Sequence, residues 1–345
     1  MTLLPPYLAQ TGYDQQGLPV LREAIARRYS ERGLPTRPDE VMVVNGALSA
    51  FALILRLFTG PGDRVVIDAP TYPMAISAIQ GASCRPVGVA LPQQGWDCDG
   101  LAATIAQTAP RLAWLMPDFH NPTGRCMDAP TRQRVADIAA RTRTTLVIDE
   151  TMADLWYNAP PPAAGQLQSR CRGAHHWFGR EKLLGGLRIG WIRASARTIA
   201  SLIQARDSLD LGTPLLEQLA CSWLLENAAT LLPPRRDMLK ARRDMCETLM
   251  AEYFPRWRFS PPEGGLSFWV ELPDMLATLF SARAESQGIH IGTGTRFGLE
   301  GAFDRYLRLP FTLPDEALRR AFSTLQPLWQ SLAEQKENTR LRKII

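Results

Sequence analysis

The stretch Leu112-Ala-Trp-Leu-Met-Pro-Asp-Phe-His-Asn-Pro-Thr-Gly124 joins a continuous apolar run to a polar turn. The run predicts a short buried strand over residues 112–116, and the polar residues that follow it include Asn121. A second apolar run, over 145–148, is closed by Asp149. Because ligands of open α/β sheets bind beyond the carboxyl ends of the strands, we expect Asn121 and Asp149 to face one crevice. The Asn-Pro-Thr-Gly sequence also makes a good turn, and an ordinary turn is the alternative interpretation.

Strand and helix patterns alternate on both sides of this stretch. Short apolar runs predict further strands, and runs of helical periodicity predict helices between them. The predicted strands are 41–44, 64–68 and 187–192, and the predicted helices are 18–32, 47–58, 74–80 and 129–141. Alternation with nearly continuous apolar strands predicts an α/β fold whose mostly parallel sheet is covered by helices on both faces. Residues 171–178, in contrast, lack the apolar pattern of a strand.

The pattern changes at about residue 195, where longer helical stretches begin. Helices are predicted over 196–209, 215–227, 234–253 and 315–335, and strands over 266–272, 289–292 and 306–311. This part of the chain is therefore predicted to form a smaller α+β domain, and its charged last residues, 336–345, are predicted to fray. We divide the chain into an N-terminal segment (1–35), a large domain (36–205) and a C-terminal small domain with a long linking helix (206–345).

The composition is that of an ordinary globular protein. Of the 345 residues, 46% are apolar and 21% are charged, and the mean hydropathy is −0.13, which excludes a disordered or fibrous chain. No apolar run reaches the ~18 residues of a membrane span and no signal-peptide pattern is present, so we expect a cytoplasmic protein that does not bind membranes. The six cysteines form no C-x-x-C pair, and neither a metal site nor a disulfide framework is predicted from them.

Gly46, Ala47 and Leu48 lie where a predicted strand turns into a helix. The unpaired amides and the positive dipole at such a helix start attract an anion such as a phosphate. Arg188, whose guanidinium matches phosphate oxygens, is a candidate second ligand for the same anion. Almost every strand-to-helix turn in an α/β protein offers such amides, so a turn without a ligand stays an alternative. The sequence matches neither the P-loop nor the dinucleotide pattern G-x-G-x-x-G.

Lysine is rare in this chain, which makes its positions informative. Only four of the 39 basic residues are lysines, and Lys182 is the only one in the first 239 residues. A lysine amine whose pKa is lowered by its surroundings forms a Schiff base with an aldehyde, so Lys182 is the candidate nucleophile. Asp149 has three open roles: a helix cap, a metal ligand, or an ionised partner for a protonated ring nitrogen. Metal is the least supported of these, because Glu150 is expected to point to the other face of the strand.

Several motifs occur in one order over about 300 residues: Tyr13 with Gly17, Asn45-Gly-Ala47, Pro70-Thr-Tyr-Pro73, Asn121-Pro-Thr-Gly124, Asp149, Lys182, Gly186-Leu-Arg-Ile-Gly190 and Tyr306-Leu-Arg308. Together they resemble the fold type I, class I/II aminotransferases, which use pyridoxal 5′-phosphate. Within that family, residues 117–124 and 210–218 look most like the aminotransferase-like domain of MocR regulators of the GntR family. Those regulators normally carry an N-terminal winged helix-turn-helix. No such pattern precedes Tyr13, so we expect no DNA-binding domain in this chain.

The resemblance implies a large domain with a mostly parallel seven-stranded sheet, and it implies roles for the residues around the cofactor ring. Asp149 would pair with the pyridinium nitrogen, Asn121 would hydrogen-bond the ring hydroxyl, and Tyr72 would stack on the ring. Lys182 would hold the cofactor aldehyde as an aldimine and would then move a proton as base and acid. Lys182, Asp149 and Tyr72 are therefore the implied catalytic residues.

The resemblance also implies how the phosphate and the substrate would be held. Gly46, Ala47, Leu48 and Arg188 would bind the cofactor phosphate, and Tyr13 would reach the phosphate of a neighbouring subunit in a homodimer. Arg308 would bind the α-carboxylate of the substrate, with Asn121 beside it. The implied reaction is the exchange of an amino group between an amino acid and a 2-oxo acid.

The chain departs from the family pattern near the lysine. Gly179-Arg-Glu-Lys182 stands where Ser-x-Ser-Lys is usual, and Thr151 and Met152 take the place of a tyrosine expected after the aspartate. Two hypotheses follow: an active transaminase, or a catalytically weak domain that senses an amino acid and the cofactor as the effector part of a MocR-type regulator. Direct nucleic-acid binding through the arginines is a third, although the sequence holds no recognisable reading motif.

Overall fold

The structure is a computed structural model. It describes residues 4–9, 11–163, 167, 175–180 and 185–342, with the backbone alone for 175–180 and 337–342. Lys182 lies outside the described residues.

A seven-stranded sheet forms the centre of the larger part of the chain. Its strands are β1 Val41–Val44, β2 Arg64–Ala69, β3 Arg85–Ala90, β4 Leu112–Leu115, β5 Thr145–Asp149, β6 His175–Arg180 and β7 Gly190–Arg193. They lie in the order β1-β7-β6-β5-β4-β2-β3, and β7 alone runs antiparallel to its neighbours β1 and β6. The strands β4 and β5 are adjacent and parallel, with Leu112 opposite Thr145. The prediction of a mostly parallel seven-stranded sheet is confirmed.

Helices cover both faces of this sheet. They are α1 Pro19–Glu31, α2 Ala47–Phe58, α3 Pro73–Gly81, α4 Cys98–Thr108, α5 Ala129–Thr142, α6 Ala196–Arg206 and α7 Leu215–Glu226. Because side chains alternate along a strand, Val41 and Val43 pack in one core with α1 and α5, whereas Met42 and Val44 pack in another with α2 and α6. The carboxyl ends of β4 and β5 lie between these two helical layers.

A second, antiparallel sheet lies in the later part of the chain. Its strands are β8 Arg258–Phe259, β9 Ser267–Glu271, β10 Gly292–Thr293 and β11 Tyr306–Pro310, in the order β10-β11-β9-β8. Three helices pack with it, namely α8 Ala228–Tyr253, α9 Ala277–Glu285 and α10 Asp315–Arg342. Phe119 and Leu155 from the earlier part of the chain join the same buried cluster. The boundaries at residues 35 and 205 remain a prediction.

Two strands of the sheet differ from what the sequence pattern indicates. The strand predicted over 187–192 starts only at Gly190, because Gly185–Leu187 forms a 3₁₀ turn and Arg188 has a left-handed φ of 56°. The stretch 171–178, which lacks the apolar pattern of a strand, contains the start of β6, which pairs with β5 on one side and β7 on the other. A strand flanked on both sides obtains its hydrogen bonds from its neighbours, and these override a weak apolar pattern.

Helix boundaries also differ from the sequence prediction. The helix predicted to begin at Pro234 starts at Ala228, with Pro233 and Pro234 inside it, and α10 continues to Arg342 through residues predicted to fray. The first turn of α8 closes through bonds from Thr230 and Leu231 to the carbonyl of Asn227, upstream of the prolines. Among the residues that the structure describes, no helix combines the length and the apolar character that crossing a bilayer requires.

Candidate active site

A cavity of about 250 Å³ opens at the carboxyl ends of the parallel strands. Most of the residues singled out in the sequence line it, namely Ala47, Leu48, Tyr72, Asn121, Asp149, Arg188 and Arg308. They come from both sheets and from the loops between them. The expectation that Asn121 and Asp149 face one crevice is confirmed.

The turn between β1 and α2 forms one end of the cavity. Gly46 is the N-cap of α2 with φ 93°, and no side chain caps the first amides of that helix. A methyl group on Gly46 would come within 2.7 Å of an Arg188 Nη atom, so the guanidinium lies directly against this backbone. A methyl on Gly190 would likewise lie 2.5 Å from the Gly46 carbonyl carbon. Two glycines therefore bring uncapped helix amides and an arginine together, which is the donor set of a phosphate site.

Asn121 and Arg308 also line the cavity and contact each other. Asn121 precedes a cis peptide bond to Pro122, and Arg308 lies on β11. The Nε of Arg308 donates a hydrogen bond to Oδ1 of Asn121 at 2.9 Å. Burial lowers the pKa of Arg308 from its ordinary value, but a guanidinium keeps its charge at neutral pH. The half-buried guanidinium of Arg308 is thus already oriented by an amide.

Asp149 ends β5 and is buried, with 4% of its surface exposed. Its Oδ1 accepts a hydrogen bond from the amide of Thr151 at 2.8 Å. The next residue, Glu150, does not line the cavity and instead faces Arg32 at the end of α1, as the alternation along a strand predicts. A carboxyl group buried at the cavity wall suits a cationic ring nitrogen.

Tyr72 lies at the start of α3, three residues after the cis peptide bond between Ala69 and Pro70. Sequence reasoning missed the aromatic wall near it, where the rings of Phe51 and Trp114 lie 5.6 Å apart. Trp114 and Met116 are two residues apart, so they share one face of β4 and its continuation, and both line the cavity. This period-two spacing was the sequence signal that could have identified them. Ala75, Thr151, Met152 and Leu266 complete the lining.

Of the predicted site residues that the structure describes, Tyr13 and Gly46 are not among those that line this cavity. Tyr13 is 70% exposed and borders a separate surface hollow with Asp14, Ile203 and Leu211. Lys182 is outside the described residues, so its role remains a prediction from the sequence. Gly46 contributes through its backbone and through the space that it leaves for Arg188.

The family model for aminotransferase class I and II matches residues 9–325. The chain belongs to this family. The 2-aminoadipate transaminase of Thermus thermophilus is 29% identical over 315 residues, which cover 88% of this chain and 79% of that protein. The uncharacterized HTH-type transcriptional regulator YdcR of Escherichia coli is 28% identical over 294 residues, and this aminotransferase spans only 63% of its length.

Solved structures show the same fold. The crystal structure of LysN, the α-aminoadipate aminotransferase of Thermus thermophilus complexed with N-(5′-phosphopyridoxyl)-L-leucine, superposes with a TM-score of 0.88 at 25% identity, covering 97% of this chain and 87% of that one. The multiple substrate aminotransferase of Thermococcus profundus gives 0.86 at 26% identity, covering the same shares of the two chains. The fold is therefore PLP fold type I, and the cofactor of this aminotransferase is pyridoxal 5′-phosphate.

The geometry fits that cofactor. A phosphate fits the uncapped start of α2 beside Arg188, where the two glycines keep the backbone bare. A cationic pyridine ring fits the buried carboxylate of Asp149, and Phe51 and Trp114 add apolar aromatic side chains to the same cavity.

Proposed function

We propose that this aminotransferase exchanges an amino group between an amino acid and a 2-oxo acid at the cavity between its two sheets. One observation carries the proposal: a ring-nitrogen partner, a phosphate cradle and a carboxylate-binding arginine line the same space, in Asp149, Arg188 and Arg308. Bound pyridoxal phosphate supplies an electron sink that stabilises a carbanion at Cα of the substrate.

The residues around the ring would set its orientation and its charge. The Asp149 carboxylate would accept a hydrogen bond from the protonated ring nitrogen, and burial would strengthen that contact. Asn121 has its Oδ1 engaged by Arg308, so its Nδ2 is the atom that would donate to the ring hydroxyl. Tyr72 would cover one face of the ring from the start of α3.

Arg308 would bind the α-carboxylate of the amino acid. Its Nε is held by Asn121, which leaves both terminal nitrogens for a bidentate pair with the carboxylate. The substrate carboxylate and the cofactor ring would thus share Asn121 as a neighbour, which fixes Cα over the ring.

Lys182 is the proposed proton carrier. We infer from its place in the family motif that its Nζ holds the cofactor at rest. Once displaced by the amino group of the substrate, this amine would take the proton from Cα and return it at C4′ of the cofactor.

The proposed assembly is a homodimer. Tyr13 is 70% exposed, and Leu211 beside it is 57% exposed, on the side of the molecule where Asn45 pairs with Asp210. Exposed apolar side chains around the phosphate-binding turn suit a subunit interface. There the Tyr13 hydroxyl of each subunit would reach the phosphate of the other. A cytoplasmic location remains a proposal from the sequence.

A second candidate function is favoured by the kinship with regulators. Several relatives are helix-turn-helix regulators, and the Gly179-Arg-Glu-Lys182 segment lacks the hydroxyls usual beside the lysine. In this alternative the domain binds pyridoxal phosphate and an amino acid but does not complete transamination.

Two measurements test these proposals. The wild type should develop the visible absorbance band of lysine-bound pyridoxal phosphate, and Lys182→Ala should not, whereas Lys240→Ala on α8 should keep it. A single-turnover assay with an amino acid should then yield one equivalent of 2-oxo acid. No band in the wild type contradicts both candidates, and a band without oxo acid favours the sensor.

A further inference from the structure

A buried ion cluster lies on the opposite side of the sheet from the cavity. It consists of Arg32, Asp118, Arg132 and Glu150. An Nη atom of Arg132 donates to Oδ1 of Asp118 at 2.5 Å, and an Nη atom of Arg32 lies 3.6 Å from Oδ2 of Asp118 and 3.4 Å from Oε1 of Glu150. The side chains of Asp118 and Arg132 are completely buried, that of Glu150 is 3% exposed, and that of Arg32 is 23% exposed.

The two carboxylates of the cluster are close in sequence to the proposed ring ligands. Glu150 follows Asp149 directly, and Asp118 precedes Asn121 by three residues on the segment after β4. The two cations come from elsewhere, since Arg32 is the C-cap of α1 and Arg132 lies in α5. The cluster therefore joins two helices to the two strand ends that present Asp149 and Asn121.

The charges of the cluster balance only when Arg32 is included. Burial raises the pKa of Glu150, the neighbouring Asp118 carboxylate adds to this, and the guanidinium of Arg32 opposes it. Arg132 is occupied by Asp118 and by the Met127 carbonyl, to which its Nε donates at 2.8 Å. Without Arg32, Arg132 would be the one cation within ion-pair distance of these two buried carboxylates among the described residues, and their repulsion would displace the strand ends.

We infer that Arg32 is a positioning residue of the cofactor site, because its guanidinium stabilises the two segments, around Asp118 and Glu150, that also carry Asn121 and Asp149. The inference depends on the proposed roles of Asp149 and Asn121. It predicts that the charge of Arg32 matters for cofactor affinity, although Arg32 lies behind the sheet and does not line the cavity.

The test measures the dissociation constant of pyridoxal phosphate by titration of the visible band. Arg32→Gln should raise it about tenfold or more, and Arg32→Lys, which keeps the charge, should stay within about threefold of wild type. The double variant Arg32→Gln/Glu150→Gln removes one charge of each sign and should regain most of the lost affinity. Arg27→Gln, an exposed arginine of the same helix, is the matched control and should bind as wild type does.

The outcomes separate charge pairing from simple packing. A loss in Arg32→Gln that the double variant does not restore overturns the inference, and so does unchanged affinity in Arg32→Gln. If Arg32→Gln does not fold, a folded double variant with near wild-type affinity supports the inference, whereas a double variant that also fails to fold or to bind overturns it. A wild type that binds no cofactor would instead contradict the proposed function. Thermal unfolding of the cofactor-free variants gives an independent readout, in which the double variant should again exceed Arg32→Gln.

Discussion

Arg308 and Asn121 contact each other, and this contact decides how each can bind a ligand. The bond from Nε to Oδ1 orients the guanidinium, so its two terminal nitrogens point away from the amide that binds it. A lysine at this position would keep the charge but would lose both the fork and the bond.

Arg308→Lys should therefore reduce kcat/KM for the amino acid by about 10- to 100-fold, the effect of losing one charged hydrogen bond. Cofactor affinity should change much less. Arg305→Lys, at an exposed position three residues earlier, is the control and should keep wild-type kinetics. Equal kcat/KM values for Arg308→Lys and Arg305→Lys would remove Arg308 from the substrate site.

Gly46→Ala should weaken pyridoxal phosphate binding about tenfold or more, because the new methyl would displace Arg188. The matched control is Gly62→Ala, which has a similar positive φ of 85° but no atom within 4 Å of its methyl. Gly62→Ala should lose about 1 kcal/mol of stability and keep cofactor affinity. Titration of the absorbance band on both variants checks this, and a similar loss of affinity in the control would point to backbone strain alone.

At the level of elements, a buried pair of side chains, Asp68 and His120, connects the segment after β4 to the end of β2. Asp68 near the end of β2 and His120 beside Asn121 are both buried, with His120 Nε2 3.7 Å from Asp68 Oδ2. The ring Nδ1 of His120 also shares a hydrogen bond with Thr123 Oγ1 at 3.0 Å. Burial raises the pKa of Asp68 to about 7 and lowers the pKa of His120 to about 3.

These opposite shifts predict a pH dependence that only single variants reveal. Between about pH 4 and 6.5, Asp68 and His120 together bind one proton in both states: on Asp68 in the folded protein and on His120 in the unfolded chain. The pair therefore makes no pH-dependent contribution to the wild-type free energy of unfolding in this range. In Asp68→Asn only the lowered pKa of His120 remains. The folded protein then loses stability as the pH falls below about 6.5, because the unfolded chain binds a proton at His120 and the folded protein does not. In His120→Gln only the raised pKa of Asp68 remains. The folded protein then loses stability as the pH rises above about 4, because the unfolded chain releases the proton of Asp68 and the folded protein keeps it.

We therefore expect the free energy of unfolding to rise with pH in Asp68→Asn and to fall with pH in His120→Gln, relative to wild type. The slope in each case should approach 1.4 kcal/mol per pH unit in magnitude. Urea unfolding at several pH values between 4.5 and 6.5 measures it. Two variants that run parallel to wild type would show that neither group is held neutral.

The sequence predicted the elements that follow from periodicity, and it predicted the residues that end them. Asp149 and Asn121 were found because apolar strands end next to them. β6 was missed because its hydrogen bonds come from two neighbouring strands rather than from an apolar pattern of its own. Arg188 was predicted on a strand but lies just before β7, since an arginine side chain gives no sign of a left-handed backbone. The ion cluster behind Asp149 joins distant elements, and such long-range pairs have no local signal.

At the scale of the whole molecule, the proposed site is shared between subunits, and Tyr13 is the residue that would cross the interface. Tyr13→Phe should weaken cofactor binding about tenfold through the loss of one hydrogen bond to a charged group. Cofactor affinity of the single variant, by band titration, checks this value.

When the Tyr13→Phe and Lys182→Ala proteins are mixed and their subunits exchange, activity at limiting cofactor should be restored. A mixed dimer has one site that takes Lys182 from one chain and Tyr13 from the other, both intact. Random reassociation should return about a quarter of the wild-type activity, because half of the dimers are mixed and each has one intact site. No recovery after subunit exchange, shown by a tagged chain, would place Tyr13 in its own subunit's site or outside both.

The antiparallel strand β7 has one more consequence, for the time at which the phosphate cradle is assembled during synthesis. Within the described residues β1 pairs with β7 alone, although almost 150 residues separate them in the chain. A nascent polypeptide that has emerged from the ribosome only as far as β5 would have the first strand made but not docked, and Gly46 would lack both Gly190 and Arg188. We therefore expect the coenzyme to be captured only after the seventh strand has been translated and inserted.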